Sequence, residues 1–413
     1  MSGKTKQRGG AAGGALLAVG MLASGCSLFD GDDASASGSP TSAASAEVGA
    51  ATEGPCPDHV VLQTDWFPQA EHGGLYQLIG PGGVADKDLF RYSGPLQARY
   101  RGAHGVDEVE IRAGGFAVGG RPPAEVLQAD PGIYLGYIST DDIIAAALRG
   151  EQFTAVVGTL DLNPQMLMWS PARHDISSFE DLRKTKAPVL YFPGSTYMDY
   201  LVAEGYVSPD QLDDSYDGNP ERWLQSEGDV IQQGFATNEP YYYEHELAAW
   251  AKPVEFFLVH WLGYETYPGM LSMTSDRVAE ESACLELLVP VLQRAWVDFF
   301  ADPEPAIAAI DATNVTFDTF WDVSPALSRA AVDTMRQYNI ASNGSDDVYG
   351  NFDRDRVQRM IGIVTDVLAQ RGQASTLEVT VDDIVEDKFI DETVSLPDLG
   401  SGAASPFLPT GGG

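Results

Sequence analysis

Positive charge is what this sequence has least of. Its 413 residues carry 25 Lys+Arg against 60 Asp+Glu, a formal net charge of −35. The summed field of so acidic a surface repels phosphate backbones and anionic membranes, which excludes nucleic acid as a partner. Cysteine is scarce too, at three residues, ruling out a disulfide-dense scaffold and any cysteine-rich zinc or iron–sulfur cluster. No stretch approaches the ~20 consecutive apolar residues that a membrane-spanning helix requires. Catalytic signatures are missing as well. There is no P-loop, no G-x-G-x-x-G opening a helix after a strand, no G-x-S-x-G elbow and no H-E-x-x-H pair. What is present is a large apolar fraction, 44% hydrophobic against 21% charged. That suffices for a substantial core, and the length suggests two or three domains at ~150 residues each.

The N-terminus reads as an export signal. Lys4, Lys6 and Arg8 precede an apolar stretch over residues 11–22, and small residues then lead to a cysteine, Leu22-Ala23-Ser24-Gly25-Cys26. This resembles the lipobox of bacterial lipoproteins, although Ala23 stands where leucine is preferred. The resemblance implies a signal peptide over 1–25, a diacylated Cys26, and an extracytoplasmic protein anchored to the membrane by lipid alone. Residues 26–57 are mostly Ser, Ala, Gly, Asp and Thr and cannot bury enough surface to offset the entropy of ordering, so they form a flexible tether. The Pro/Gly/Ser-rich residues 397–413 form a loose tail. The remaining cysteines, Cys56 and Cys284, are compatible with a disulfide pinning the N-terminal arm to a helix, or with two separate thiols, Cys284 being simply core.

Between these ends, strand and helix signals alternate. Short β-branched or apolar runs at 59–63, 109–113, 133–138, 153–158, 166–169, 189–192, 233–237 and 255–260 read as strands. Helices are predicted after Ser139-Thr140, after Ser178, over 197–204, and as long amphipathic elements over 277–300 and 357–371. The alternation argues for an α/β fold with mostly parallel sheets. In such sheets ligands sit beyond the carboxyl ends of strands, where helix N-termini present free N–H groups. Two segments have that form, Ser139-Thr140 and Pro193-Gly194-Ser195-Thr196.

Three segments together carry a resemblance: Leu62-Gln63-Thr64-Asp65-Trp66-Phe67-Pro68-Gln69-Ala70-Glu71-His72-Gly73-Gly74-Leu75-Tyr76, then Ser178-Phe179-Glu180-Asp181-Leu182 with the strand ending at Pro193-Gly194-Ser195, then Asp229-Val230 through Gly234 to Asn238-Glu239-Pro240. The chain is similar to the substrate-binding proteins of ABC importers in the nitrate/sulfonate/taurine and thiamine/riboflavin-precursor group, relatives of the fungal thiamine-pyrimidine synthases. The resemblance implies a two-lobe, periplasmic-binding-protein-like fold (type II) with the ligand cleft between lobes. Lobe one would span 58–160 plus 263–396, and lobe two 161–262, with crossings near 155–162 and 261–271. It further implies a monomer that takes no cofactor, catalyses no reaction and delivers a small solute to ABC permease and ATPase subunits. One departure stands out. Gly80-Pro81-Gly82-Gly83 breaks the helix after Tyr76, and residues 84–95 look inserted.

On the residues themselves, Trp66 follows a strand and precedes Pro68, a place from which a side chain projects into a strand-end cleft. His72 lies beside it, and Tyr76 one helical turn on, on the same face. Thr140 and the turn Gly194-Ser195-Thr196 offer hydrogen-bonding groups at helix starts. Asn238, Glu239 and Tyr241 follow a strand whose ladder the proline ends. Trp66 and Tyr76 are expected to flank a ring, with the lobe-two groups bonding its edge. Aromatics and the lack of arginine in these motifs favour a planar, nitrogen-containing ring, such as a thiamine pyrimidine or riboflavin-type precursor. The alternatives are a nitrate, sulfonate or taurine-type anion, or a surface enzyme using Glu71, His72 and Glu239. Glu244-His245-Glu246 with Glu71-His72 has no recurring zinc spacing, so no metal is expected.

Overall fold

A computed structural model describes residues 54–321 and 323–397. The expected signal peptide, Cys26, most of the tether and residues 398–413 lie outside the described residues.

Among the described residues, twelve strands form two sheets. The first has the order β2-β3-β4-β1-β5-β12-β6. It comprises β1 (His59–Gln63), β2 (Val84–Asp86), β3 (Arg91–Pro95), β4 (Glu108–Arg112), β5 (Leu135–Ile138), β6 (Phe153–Gly158) and β12 (Met270–Thr274). The second has the order β11-β7-β10-β8-β9, from β7 (Gln165–Trp169), β8 (Val189–Leu190), β9 (Leu212–Asp213), β10 (Ile231–Phe235) and β11 (Glu255–Leu258). The chain passes between the sheets twice, over residues 159–164 and 259–269. The central strands read as continuous apolar runs because both faces are covered. Every residue of β5 and β6 is buried, as expected for strands sandwiched between helices.

The sheets are mixed rather than mostly parallel. β1 runs parallel to β4 and β5, and β8 to β9 and β10, but β12 is antiparallel to both β5 and β6, and β7 to both β10 and β11. The antiparallel strands include those at the crossings, where the chain enters one sheet directly from the other without a covering helix to reverse it. Residues 84–95 form a hairpin, β2–β3, at the edge of the first sheet. The long helix expected over 277–300 is two helices, Ser275–Glu280 and Ser282–Ala301, meeting at Glu281. The helices Glu304–Phe317 and Pro325–Gln337 and strand β12 have no counterpart in the sequence reading.

The Gly73–Leu78 helix is wholly buried against the Ser282–Ala301 helix. Its two glycines permit that approach. A methyl group at Gly73 would lie 2.2 Å from Cζ of Phe299, and one at Gly74 2.3 Å from Cδ2 of Trp296, both rings being buried. Cys56 is disulfide-bonded to Cys284 on the same helix, so the start of the body and this helix are covalently joined. Gly74→Ala is expected to lower unfolding free energy by about 1–3 kcal/mol through overpacking. Urea denaturation checks this, and an unchanged midpoint would show that the Trp296 ring can move aside.

Candidate functional site

Residues 64–66 leave the carboxyl end of β1 in a tightly tied turn. The Thr64 hydroxyl donates to the carbonyls of Trp66 (2.7 Å) and Arg112 (3.0 Å), and the Gly114 N–H donates to the Trp66 carbonyl at 3.0 Å. This presents Asp65 and Trp66 to a cavity of about 230 Å³. Trp66 meets Trp321 at 5.7 Å between ring centroids and Phe192 at 6.4 Å, and Phe192 meets Tyr216 at 5.0 Å. All four rings line the cavity, so its walls come from the first-sheet side (Trp66, Trp321) and from loops of the second sheet (Phe192, Tyr216). The indole Nε1 of Trp66 is a buried donor with no partner among the described residues.

Glu239 closes the cavity from the second-sheet side. Its Oε2 accepts the Phe235 N–H at 2.7 Å, and its Oε1 accepts the Tyr216 hydroxyl at 3.2 Å. Gly234 makes room for it: a Cβ there would lie 2.6 Å from the Glu239 Cδ. Burial is the main reason its carboxyl is pushed up to about 7, and Glu71 across the gap adds to the rise. Glu71 is raised too, again chiefly by burial, and its carboxylate accepts the Thr237 hydroxyl from the second-sheet side.

A second chamber of about 220 Å³ adjoins the first, sharing Asp65, Gln165 and Phe235 with it. Asp141 and Asp142 face it from the start of the Thr140–Leu148 helix. Asp141 accepts the Ser139 hydroxyl at 2.6 Å and the Tyr264 hydroxyl at 2.8 Å. Asp142 is open to cleft water yet ringed by protein. That crowding, then the neighbouring Asp141, raises its carboxyl to about 7.

Of the residues singled out from sequence, Trp66, Ser195, Asn238 and Glu239 line the first cavity. The other six do not. Tyr76 points into the core and stacks on Tyr92 at 5.3 Å, because its helix is buried on all sides. His72 is 1% exposed and lies behind Asp65, its Nε2 2.8 Å from Oδ1 of that residue, so it orients Asp65 and lines neither chamber. Thr140 is fully buried, its Oγ1 accepting the Tyr267 N–H at 2.9 Å. Its neighbours Ser139, Asp141 and Asp142 face the chamber instead. Tyr241 turns away and packs on His245 at 4.6 Å. Gly194 and Thr196 flank the lining Ser195 without lining the cavity themselves. Trp321, Tyr216 and Gln165 escaped the sequence reading. Only Trp321 left a signal, in the pair Phe320-Trp321 following a helix, and its distance in sequence hid its place.

Two α/β sheets, joined twice and enclosing a cavity between them, define the two-lobed periplasmic-binding-protein fold. Solved structures bear this out. The periplasmic aliphatic sulphonate binding protein SsuA from Escherichia coli matches with a TM-score of 0.53 at 13% identity, over 79% of this chain and 96% of that one. The alkanesulfonate-binding protein SsuA from Xanthomonas axonopodis pv. citri, bound to MOPS, matches with a TM-score of 0.50 at 11% identity, over 80% and 99%. These neighbours are solute-binding proteins, and at such identities the likeness establishes the fold alone. No protein-family model and no curated relative matches the sequence.

Because Glu239 is harder to ionise folded than unfolded, the native state holds its proton over the window from about pH 4.5 to 7 while the unfolded chain has lost it. Stability from this group is therefore complete below that window and falls as pH rises through it, by on the order of 3 kcal/mol. Asp142 acts in the same direction. Glu239→Gln is expected to flatten the decline in ligand-free protein. Chemical denaturation at pH 5 and 8 checks it; a variant with the wild-type slope would contradict the assignment.

Proposed function

We propose that this chain is the solute-capturing component of an ABC importer, held at the outer face of the cell membrane by an acylated Cys26 and a tether. Ligand would bridge the two lobes and stabilise the closed arrangement through contacts made on both sides. The ligand favoured is a small planar ring containing nitrogen, of the kind found in thiamine pyrimidines and flavin-type precursors. The observation that carries this reading is the first cavity, walled by Trp66, Trp321, Phe192 and Tyr216, with polar groups at its edge. Aromatic walls supply contact area at low entropic cost, and a few fixed polar groups supply orientation. The partnerless Trp66 N–H calls for an acceptor on the ring, such as a carbonyl or ring nitrogen.

Thermal-shift screening decides the ligand. A ligand at 100 times its dissociation constant adds about 2.7 kcal/mol of stability. Pyrimidine and flavin-type rings are expected to raise the melting temperature, and Trp66→Ala to abolish the shift. Stabilisation by nitrate, taurine or another aliphatic sulfonate, with none from planar rings, would overturn the ligand class. Cys26→Ser is expected to move the protein from the membrane fraction to the soluble fraction. A wild-type protein already fully soluble outside the cell would defeat the anchor.

A further inference from the structure

The two chambers share an electrostatic feature that the aromatic walls do not explain. Their linings include Asp65, Asp141, Asp142 and Glu239, and no Arg, Lys or His. Glu239 accepts an N–H and a hydroxyl, Asp141 accepts two hydroxyls, and Asp65 lies 2.8 Å from Nε2 of the His72 ring behind it. The helix start that could receive an anionic ligand is already served by the chain's own carboxylates, since Asp141 and Asp142 occupy the first turn of the Thr140–Leu148 helix. Among the described residues no three His, Cys, Asp or Glu side chains converge as a metal site.

We infer that the cleft takes an organic cation, a positively charged nitrogen heteroaromatic whose ring lies among Trp66, Trp321 and Phe192 and whose charge falls between Asp65 and Glu239. Rings of this kind attract cations through their negative faces as well as by contact, most strongly for tryptophan. Carboxylates beside these apolar rings add an attraction screened less than in bulk solvent. The amide of Gln165 fits the same ligand: its Nε2 is engaged by the Gly234 carbonyl at 3.0 Å, while its Oε1 has no partner among the described residues and remains an acceptor at the junction of the chambers. A net charge of −35 concentrates cations around the molecule and speeds their capture at low salt.

This inference rests on the reading of the cavity as the ligand site, and a matched series separates the two. The probes are N-methylnicotinamide cation, neutral nicotinamide and anionic nicotinate, which share a ring and a carbonyl acceptor but differ in charge. Binding to the mature protein is read by calorimetry and by quenching of tryptophan fluorescence. The cation is expected to bind at least 10-fold tighter than the neutral ring, the anion to be the weakest, and the cation's affinity to fall with added salt. Glu239→Gln is expected to reduce the cation-to-neutral ratio at least 5-fold; thermal unfolding of the variant shows that it is folded. Equal affinity for cation and neutral ring overturns the cation inference and leaves the planar-ring site standing. Preference for the anion, or no binding by the cation, overturns it as well. Failure of every ring, together with binding of nitrate or a sulfonate, overturns both readings.

Discussion

A single guanidinium ties the two passages between the sheets to each other. Arg356, 6% exposed, donates from Nε to the Glu265 carbonyl at 2.5 Å, from Nη1 to Asp161 Oδ1 at 2.9 Å, and from Nη2 to the carbonyls of Asp161 (2.6 Å) and Thr266 (3.0 Å). It also lies over the Tyr267 ring at 3.8 Å. Asp161 belongs to the first passage between sheets, and Glu265, Thr266 and Tyr267 to the second. A buried cation is tolerated only where its donors are fully matched, and the planar fork of arginine suits several acceptors at once. Toward the cleft the same two passages are bonded directly, Thr159 Oγ1 to the Gly269 carbonyl at 2.6 Å and Asn163 Nδ2 to Thr266 Oγ1 at 2.8 Å. Asn163 and Thr266 line the acidic chamber. The joint between the lobes and the floor of the cleft are therefore one piece of structure, and the lobe closure proposed above would be felt at both.

The use of arginine elsewhere explains why the cleft remains acidic. Arg112 bridges Glu110 and Asp130, Arg371 pairs with Asp199, and Arg354 joins Asp382 and Asp387. These cations sit on the scaffold, and few remain for a chain so rich in carboxylates. At the cleft, hydroxyls, amides and one imidazole stand in. The hydroxyls and backbone amides satisfy hydrogen-bonding capacity without cancelling charge, so Glu239 and Asp142 stay costly to ionise while the site is empty. A chain that pairs its carboxylates elsewhere and leaves this cluster uncompensated breaks the usual rule at the place where function would call for it.

Much of this organisation was legible in the sequence, and the failures have physical causes. Buried strands such as β5 and β6 announce themselves as apolar runs, and Ser178 and Ser139 mark helix starts through their capping side chains. Trp66 and Glu239 could be placed because each follows a strand by one to four residues, within reach of local geometry. Periodicity misled at Tyr76. Four residues from His72 does mean the same helical face, but on a helix buried all round no face is turned to the cleft. At residues 139–142 the error was one of phase: the segment was correct, but Thr140 turns into the core while Ser139, Asp141 and Asp142 turn out. Strand β12 was missed because its residues, Met270-Leu271-Ser272-Met273-Thr274, include one β-branched side chain, Thr274, where such character signals a strand.

The interruption of the family resemblance at residues 80–95 and the aromatic wall of the cavity belong to one arrangement. The hairpin β2–β3 turns at Phe90, which adopts φ of 48° and packs on Phe67 at 6.0 Å and Phe317 at 5.4 Å. Phe67 directly follows Trp66, and Phe317 ends the helix from which the chain runs on to Trp321. The carbonyl of Pro68 receives both the Asn314 amide, at 2.9 Å, and the Trp321 indole, at 3.3 Å, tying the two tryptophan-bearing segments together. A cluster of rings behind the wall thus fixes the two rings in it. Positive φ at a bulky residue is unfavourable in isolation, and here the surrounding aromatic contacts hold it. The β2–β3 hairpin is therefore a buttress for Trp66 and Trp321.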